Sequence, residues 1–127
     1  NPNVRAMERY VITINRQGSV SIPCKDVWMT EFELVELFDV IAPTLRAAIR
    51  AVYKSEVLNP CEVERRIRLP NGYYSEAYAL AMAVALAFRI NTSNAASVRN
   101  TLLERLCLRK ERQVLWVALS GGQMYGC

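Results

Sequence analysis

The chain has 127 residues, 52% of them hydrophobic and 22% charged, with five glycines and five prolines. That length and balance fit one globular domain and exclude disorder, collagen and low-complexity arrays. There is no histidine, so Ser-His, Cys-His and His-metal chemistry are excluded within the chain. Sixteen Lys and Arg against twelve Asp and Glu leave a net charge of +4. Residues 1–60 are balanced, and the whole surplus falls in residues 61–127. Most of the cations are arginine, which suits bidentate contacts with phosphate and guanine.

Cys24, Cys61, Cys107 and Cys127 include no CxxC pair. Metal ligation is therefore not expected, and buried or half-buried free thiols in a reducing compartment are. No N-terminal segment reads as a signal peptide. The longest apolar run, Ala77–Phe88, falls short of the ~20 residues that a bilayer crossing takes. A soluble, cytoplasmic protein with no membrane partner is the expectation.

Residues 1–9 and 120–127 read as flexible ends of a single domain spanning 1–127. Tyr10–Ile14 reads as a strand, Asn15-Arg-Gln-Gly18 as a turn, and Ser19–Ile22 as the return strand, a β-hairpin covering one side of a helical core. Thr30 and Glu33 then form the T-x-x-E capping box of a helix. Glu31, Glu33 and Glu36 crowd its first turns, where the helix dipole favours negative charge. Phe32, Leu34, Val35, Leu37 and Phe38 give that helix a broad apolar face. A break at Asp39–Ala42 follows, and Pro43 sits where a second helix begins. Leu45, Ala48, Ile49 and Val52 make one buried stripe on it. Thr44, Arg46, Ala47, Arg50 and Lys54 are left toward solvent.

Two helices across a turn of this length, within residues 27–58, match the layout of a DNA-binding helix-turn-helix. The second helix would enter the major groove, with Thr44, Arg46, Ala47 and Arg50 against base edges and Lys54 at a phosphate. Arg46 and Arg50, four residues apart, project from one face. Asp39 stands where the turn takes a left-handed conformation, usually a glycine. An ordinary helical hairpin with two surface arginines satisfies the same periodicity.

Asn59-Pro60 closes the helix pair. Val63–Leu69 alternates as a strand does, and Pro70-Asn71-Gly72 is a tight-turn signal ahead of Tyr73-Tyr74. A strand, turn and return strand in this position is the order of a winged helix, with Arg65, Arg66 and Arg68 placed for phosphates. A solvated strand face paired with Glu62 and Glu64 is the competing reading. Ser75 reads as the N-cap of a buried helix over Glu76–Arg89. A last helix spans about Asn94–Arg109, with Val98, Leu102, Leu103 and Leu106 inward and Arg99, Arg105 and Arg109 mostly outward. Gln113–Leu119 is strand or short helix. The expected fold is α+β and winged-helix-like: an N-terminal hairpin, a helix-turn-helix with a wing-like hairpin, then two C-terminal helices.

Two stretches, covering roughly residues 25–106, resemble the virulence-associated RhuM family of bacterial and mobile-element proteins. The first is Val27-Trp28-Met29-Thr30, then Glu36-Leu37-Phe38, the second helix through Ile49, Tyr53 and Glu56-Val57-Leu58. The second is Arg89-Ile90-Asn91-Thr92, then Arg99, then Arg105-Leu106. The resemblance implies a DNA-binding or regulatory role. No GxGxxG, GxxxxGK[ST] or GxSxG motif is present, and the carboxylates of the first helix are explained by capping. Tyr73, Tyr74 and the neighbouring arginines are too few for backbone cleavage by a tyrosine nucleophile. The expected function is therefore sequence-specific binding of double-stranded DNA by a transcriptional regulator, as a homodimer. No enzymatic activity, cofactor, metal or small-molecule ligand is expected. The alternative is a protein-interaction module on the same fold, with Val114–Leu119 as its apolar strip.

Overall fold

The computed structural model describes residues 8–119, with side chains as far as Cys107. Near the N-terminus, β1 (Thr13–Ile14) and β2 (Val20–Ser21) pair antiparallel. Their turn is built by Asn15, whose Oδ1 accepts from the N–H groups of Gln17 and Ser19 at 3.0 and 2.9 Å. Gly18 supplies the left-handed residue at φ +84°, a conformation that costs glycine nothing. The ladder is shorter than the alternation suggests, yet Ile12 and Ile22 on its flanks are both buried in the core.

β3 (Trp28–Thr30) runs straight into α1 (Glu31–Phe38) through the expected capping box. Thr30 Oγ1 accepts from the Glu33 N–H, and Glu33 Oε1 accepts from the Thr30 N–H at 2.9 Å. Arg9 ties the chain entry to this cap, donating from Nη1 to Glu33 Oε1 and to the Trp28 carbonyl. Asp39 ends α1 at φ 53°, ψ 54°, and its N–H bonds the Val35 carbonyl. α2 (Ala42–Lys54) then begins with Pro43 inside its first turn and buries Leu45, Ile49 and Val52.

A short helix, α3 (Pro60–Val63), is capped by Asn59 and leads into β4 (Glu64–Arg68). β4 turns through Asn71 and Gly72 into β5 (Tyr74–Ala79). β5 is the central strand of an antiparallel sheet of order β3-β5-β4. The helix expected over Glu76–Arg89 therefore starts later, as α4 (Leu80–Ala87). Ser75 is no N-cap; it lies in β5 opposite Ile67. β5 finds hydrogen-bonding partners on both edges, and that tertiary pairing outweighs the helix propensity of alanine.

α5 (Ser93–Leu119) is one continuous helix of 27 residues and takes in Gln113–Leu119, for which the sequence pattern admits strand or short helix. Thr92 joins its start to the end of α1: its hydroxyl accepts from the Ala95 N–H and donates to the Phe38 carbonyl. Asn94 donates to the Leu37 carbonyl beside it. The largest fully buried side chains are Phe38, Met29, Leu34, Leu45, Met82, Leu86, Val52 and Val98. They come from β3 and every long helix, so α1 and α2 are held by one shared core.

Several expected side-chain directions differ. Phe32 is 68% exposed, and Leu103 and Leu106 are exposed rather than inward. From Leu103 to Cys107 every side chain of α5 is exposed, because the packed part of the helix ends at Leu102. Arg99 is half-buried, not outward, whereas Arg105 is exposed as expected while its Nη1 reaches back to the Ile22 carbonyl at 2.8 Å. Cys24, Cys61 and Cys107 are free and exposed rather than buried. Cys127, the tail from Ser120 and the first seven residues lie outside the described residues. Arg9, at the edge of the expected flexible start, is ordered by its two hydrogen bonds. No helix of the described residues is long and apolar enough to cross a membrane.

Candidate nucleic-acid interface

The side of α2 opposite its buried stripe carries Thr44, Arg46, Ala47, Arg50 and Lys54, all exposed. The capped start of α1 and the left-handed Asp39 fix where this helix emerges. Its first N–H groups receive no side-chain cap, Ile41 being the N-cap residue, so the positive end of the helix dipole is open to solvent. All four residues expected to meet bases thus share one face.

One of them is not independent. Arg46 donates from Nε to both carboxylate oxygens of Glu31, at 3.1 and 3.0 Å, and from Nη2 to Oε1 at 2.8 Å. The hydrogen bonds from Arg46, and then the negative charge of Glu31, hold the guanidinium above its ordinary pKa. Glu33 is likewise committed. Partial burial pulls its carboxyl upward, but Arg9 and the N–H and hydroxyl of Thr30 outweigh this and bring it below the ordinary value. The carboxylates at the start of α1 therefore do not present a bare negative surface beside α2. Glu36 and Asp39 remain exposed.

The β4–β5 hairpin divides its three arginines. The register pairs Glu64 with Tyr78, Arg66 with Glu76 and Arg68 with Tyr74, which puts these six on one face of the sheet. Arg65, opposite Ala77, lies on the other. On the first face the Arg66 and Arg68 guanidiniums lie 4.8 and 6.0 Å from the centre of the Tyr74 ring. On the second, Arg65 sits 4.4 Å over the Trp28 ring, a cation–π contact. Ala77 and Ala79, between Arg65 and Trp28 in the register, are small enough to let it reach across β5. The three arginines do not form one patch.

Tyr53 places α2 relative to this sheet. Its hydroxyl donates to the Glu64 carboxylate. Burial first, and then Glu64, push the Tyr53 phenol far above its ordinary pKa. Glu64 is therefore a partner of α2. Because Glu64 shares a face with Arg66 and Arg68, these two cations lie on the side of the sheet that α2 occupies. Arg65 does not.

Glu31, Trp28, Tyr53 and the exposed Tyr73 and Tyr74 were not among the expected site residues. Only the tyrosines carry a sequence signal, by following the Asn-Gly turn directly. A cleft of about 500 Å³ between the β1 strand and α1 is lined by Val11, Thr13, Asn15, Glu36 and Asn94 among others. It lies outside the α2 face. Comparison of the chain with family models, with curated proteins and with solved structures finds no match.

Proposed function

We propose that this chain binds double-stranded DNA as a winged-helix-like module, with α2 in the major groove and the β4–β5 hairpin against the flanking backbone. The observation that carries the reading is the topology around α2. A strand leads into two helices joined by a tight left-handed turn, and the hairpin that follows pairs back onto that first strand. In this arrangement α2 buries one stripe and leaves a polar, cationic face of Thr44, Arg46, Ala47, Arg50 and Lys54. Ala47 lets the backbone approach base edges closely. Arg46 and Arg50 supply the donors that read guanine. Lys54, Arg66 and Arg68 hold phosphates on the same side of the sheet, and Tyr74 braces the last two. Arg65 is set aside from the phosphate contacts by its place over Trp28.

The role that follows is regulatory: occupancy of a DNA site by a homodimer, as modules of this size commonly reach useful affinity. The resemblance to the RhuM family supports the same reading. Anisotropy of labelled random duplex DNA across a salt series tests it. Micromolar binding that weakens steeply with salt is expected, and absence of binding at ~50 mM salt overturns it.

A second reading, a protein-interaction module, draws on Leu103 and Leu106, which are 48% and 64% exposed on α5. It gains if duplex DNA does not bind while Leu106→Glu abolishes association with a partner protein.

A further inference from the structure

We propose that Glu31 is a positioning residue that orients Arg46 toward guanine and turns it away from phosphate, through the ion pair joining the start of α1 to α2. The proposal rests on the DNA-binding reading above. Glu31 engages the guanidinium by its side edge, using Nε and one N–H of Nη2. The end-on edge, one N–H each from Nη1 and Nη2, has no partner among the described residues, and the Arg46 side chain stays 53% exposed. That edge is the fork which matches the O6 and N7 acceptors of guanine in the major groove.

Two physical consequences follow, and they act in opposite directions on two kinds of binding. A free arginine on a helix surface samples many rotamers and meets phosphate as readily as base. Held by Glu31, Arg46 gives up less rotamer freedom on meeting a base, so discrimination rises. The carboxylate also stands beside the guanidinium and repels phosphate oxygens, so affinity for random duplex falls. The capping box fixes Glu31 for this purpose, since Thr30 and Glu33 lock the backbone of the first turn of α1. An exposed ion pair of this kind contributes little to stability, which leaves specificity as its main effect.

The test uses the full chain as wild type, Glu31→Gln, Arg46→Ala and the double variant. Bound sequences are selected from random duplex DNA, and each base is then competed at every position of the selected site. One guanine position should lose its discrimination in Arg46→Ala. At that position Glu31→Gln should reduce the preference for guanine about fivefold to tenfold, a fraction of what one bidentate pair supplies. The same variant should bind random duplex more tightly than wild type, a gain that loss of fold cannot produce. In the Arg46→Ala background Glu31→Gln should change nothing at that position.

Unchanged guanine preference in Glu31→Gln, with wild type still selecting a site, overturns the proposal and leaves the DNA-binding reading standing. So does a selected site with no guanine that depends on Arg46. Failure of wild type to bind random duplex overturns both.

Discussion

Arg99 on α5 donates from Nη1 to the carbonyls of Ala87 and Ile90, at 2.7 and 2.9 Å, and so closes the C-terminal end of α4. A helix end leaves its last carbonyls without partners inside the helix, and here a half-buried cation supplies them. Favourable alignment with the helix dipole adds to the bond. Arg99→Ala should destabilise the fold by about 1.5–3 kcal/mol, the range for a hydrogen bond to a charged group. Arg99→Lys should recover part of the loss. Urea unfolding of the three proteins measures it, and a change under ~0.5 kcal/mol, within the noise of ordinary surface substitutions, contradicts the capping role.

Arg99 also marks where the sequence stops being readable. Its spacing on an amphipathic helix points it outward, and the carbonyls it serves, at the end of α4 and in the turn after it, carry no side-chain signature. Arg105 presents the same difficulty, with its partner Ile22 lying 83 residues away. The features that can be read are the local ones: the Thr30–Glu33 box, the Asn15–Gly18 and Asn71–Gly72 turns, and the left-handed Asp39. Each is an interaction within a few residues, fixed by backbone geometry. The start of α4 is misplaced for the opposite reason. Ala77, Tyr78 and Ala79 have no local cue for strand over helix until β3 and β4 flank them. At the candidate interface the exposed face of α2 follows from periodicity alone. The hold of Glu31 on Arg46 does not, since it crosses a turn whose angle the sequence does not state.

The cap at Thr30 carries both stability and pH dependence. Thr30→Ala should cost about 1 kcal/mol, as N-cap replacements do. Glu33, its partner, has a folded pKa held below the ordinary 4.5 by Arg9 and Thr30, which outweigh its partial burial. A depressed carboxylate stabilises the fold above its unfolded pKa, and that contribution is lost as pH falls through the folded value. The stability gap between wild type and Glu33→Gln should therefore be widest near neutrality and close below about pH 4.5. Thermal melts from about pH 7 to about pH 3 report it. A gap that grows on acidification contradicts the assignment.

The division of the hairpin arginines makes a prediction that the sequence alone does not. Arg66 and Arg68 share a face with Glu64, which α2 engages through Tyr53, whereas Arg65 lies over Trp28 on the other. In binding to random duplex DNA, Arg66→Ala with Arg68→Ala should lower the logarithmic salt slope by about two, since each phosphate neutralised adds ~0.9 to it. Affinity should fall to a similar degree for every sequence, because phosphate contacts position without specifying. Arg65→Ala should leave the slope unchanged. Equal effects from all three would mean that both faces of the sheet meet DNA, and the placement of the hairpin beside α2 would then be wrong.

Asp39 allows backbone and charge to be separated at the turn between α1 and α2. At φ 53°, ψ 54° it adopts a left-handed conformation that disfavours residues with a Cβ, and its N–H bonds the Val35 carbonyl. Asp39→Gly removes the steric cost but gives the unfolded chain more freedom, so the net gain should be small, about 0.5 kcal/mol. Asp39→Ala keeps the Cβ and loses the polar side chain that makes the conformation tolerable, and should cost about 1 kcal/mol. Asp39→Asn retains that tolerance while deleting the charge, so stability should stay near wild type. If the turn faces the DNA backbone, Asp39→Asn and Asp39→Gly should both tighten binding to random duplex, because a negative charge near phosphates is removed. The gain should shrink as salt screens it, since at ~0.15 M salt charges more than about 8 Å apart scarcely interact. Tighter binding in Asp39→Gly alone would trace the effect to the backbone and turn the charge of Asp39 away from DNA.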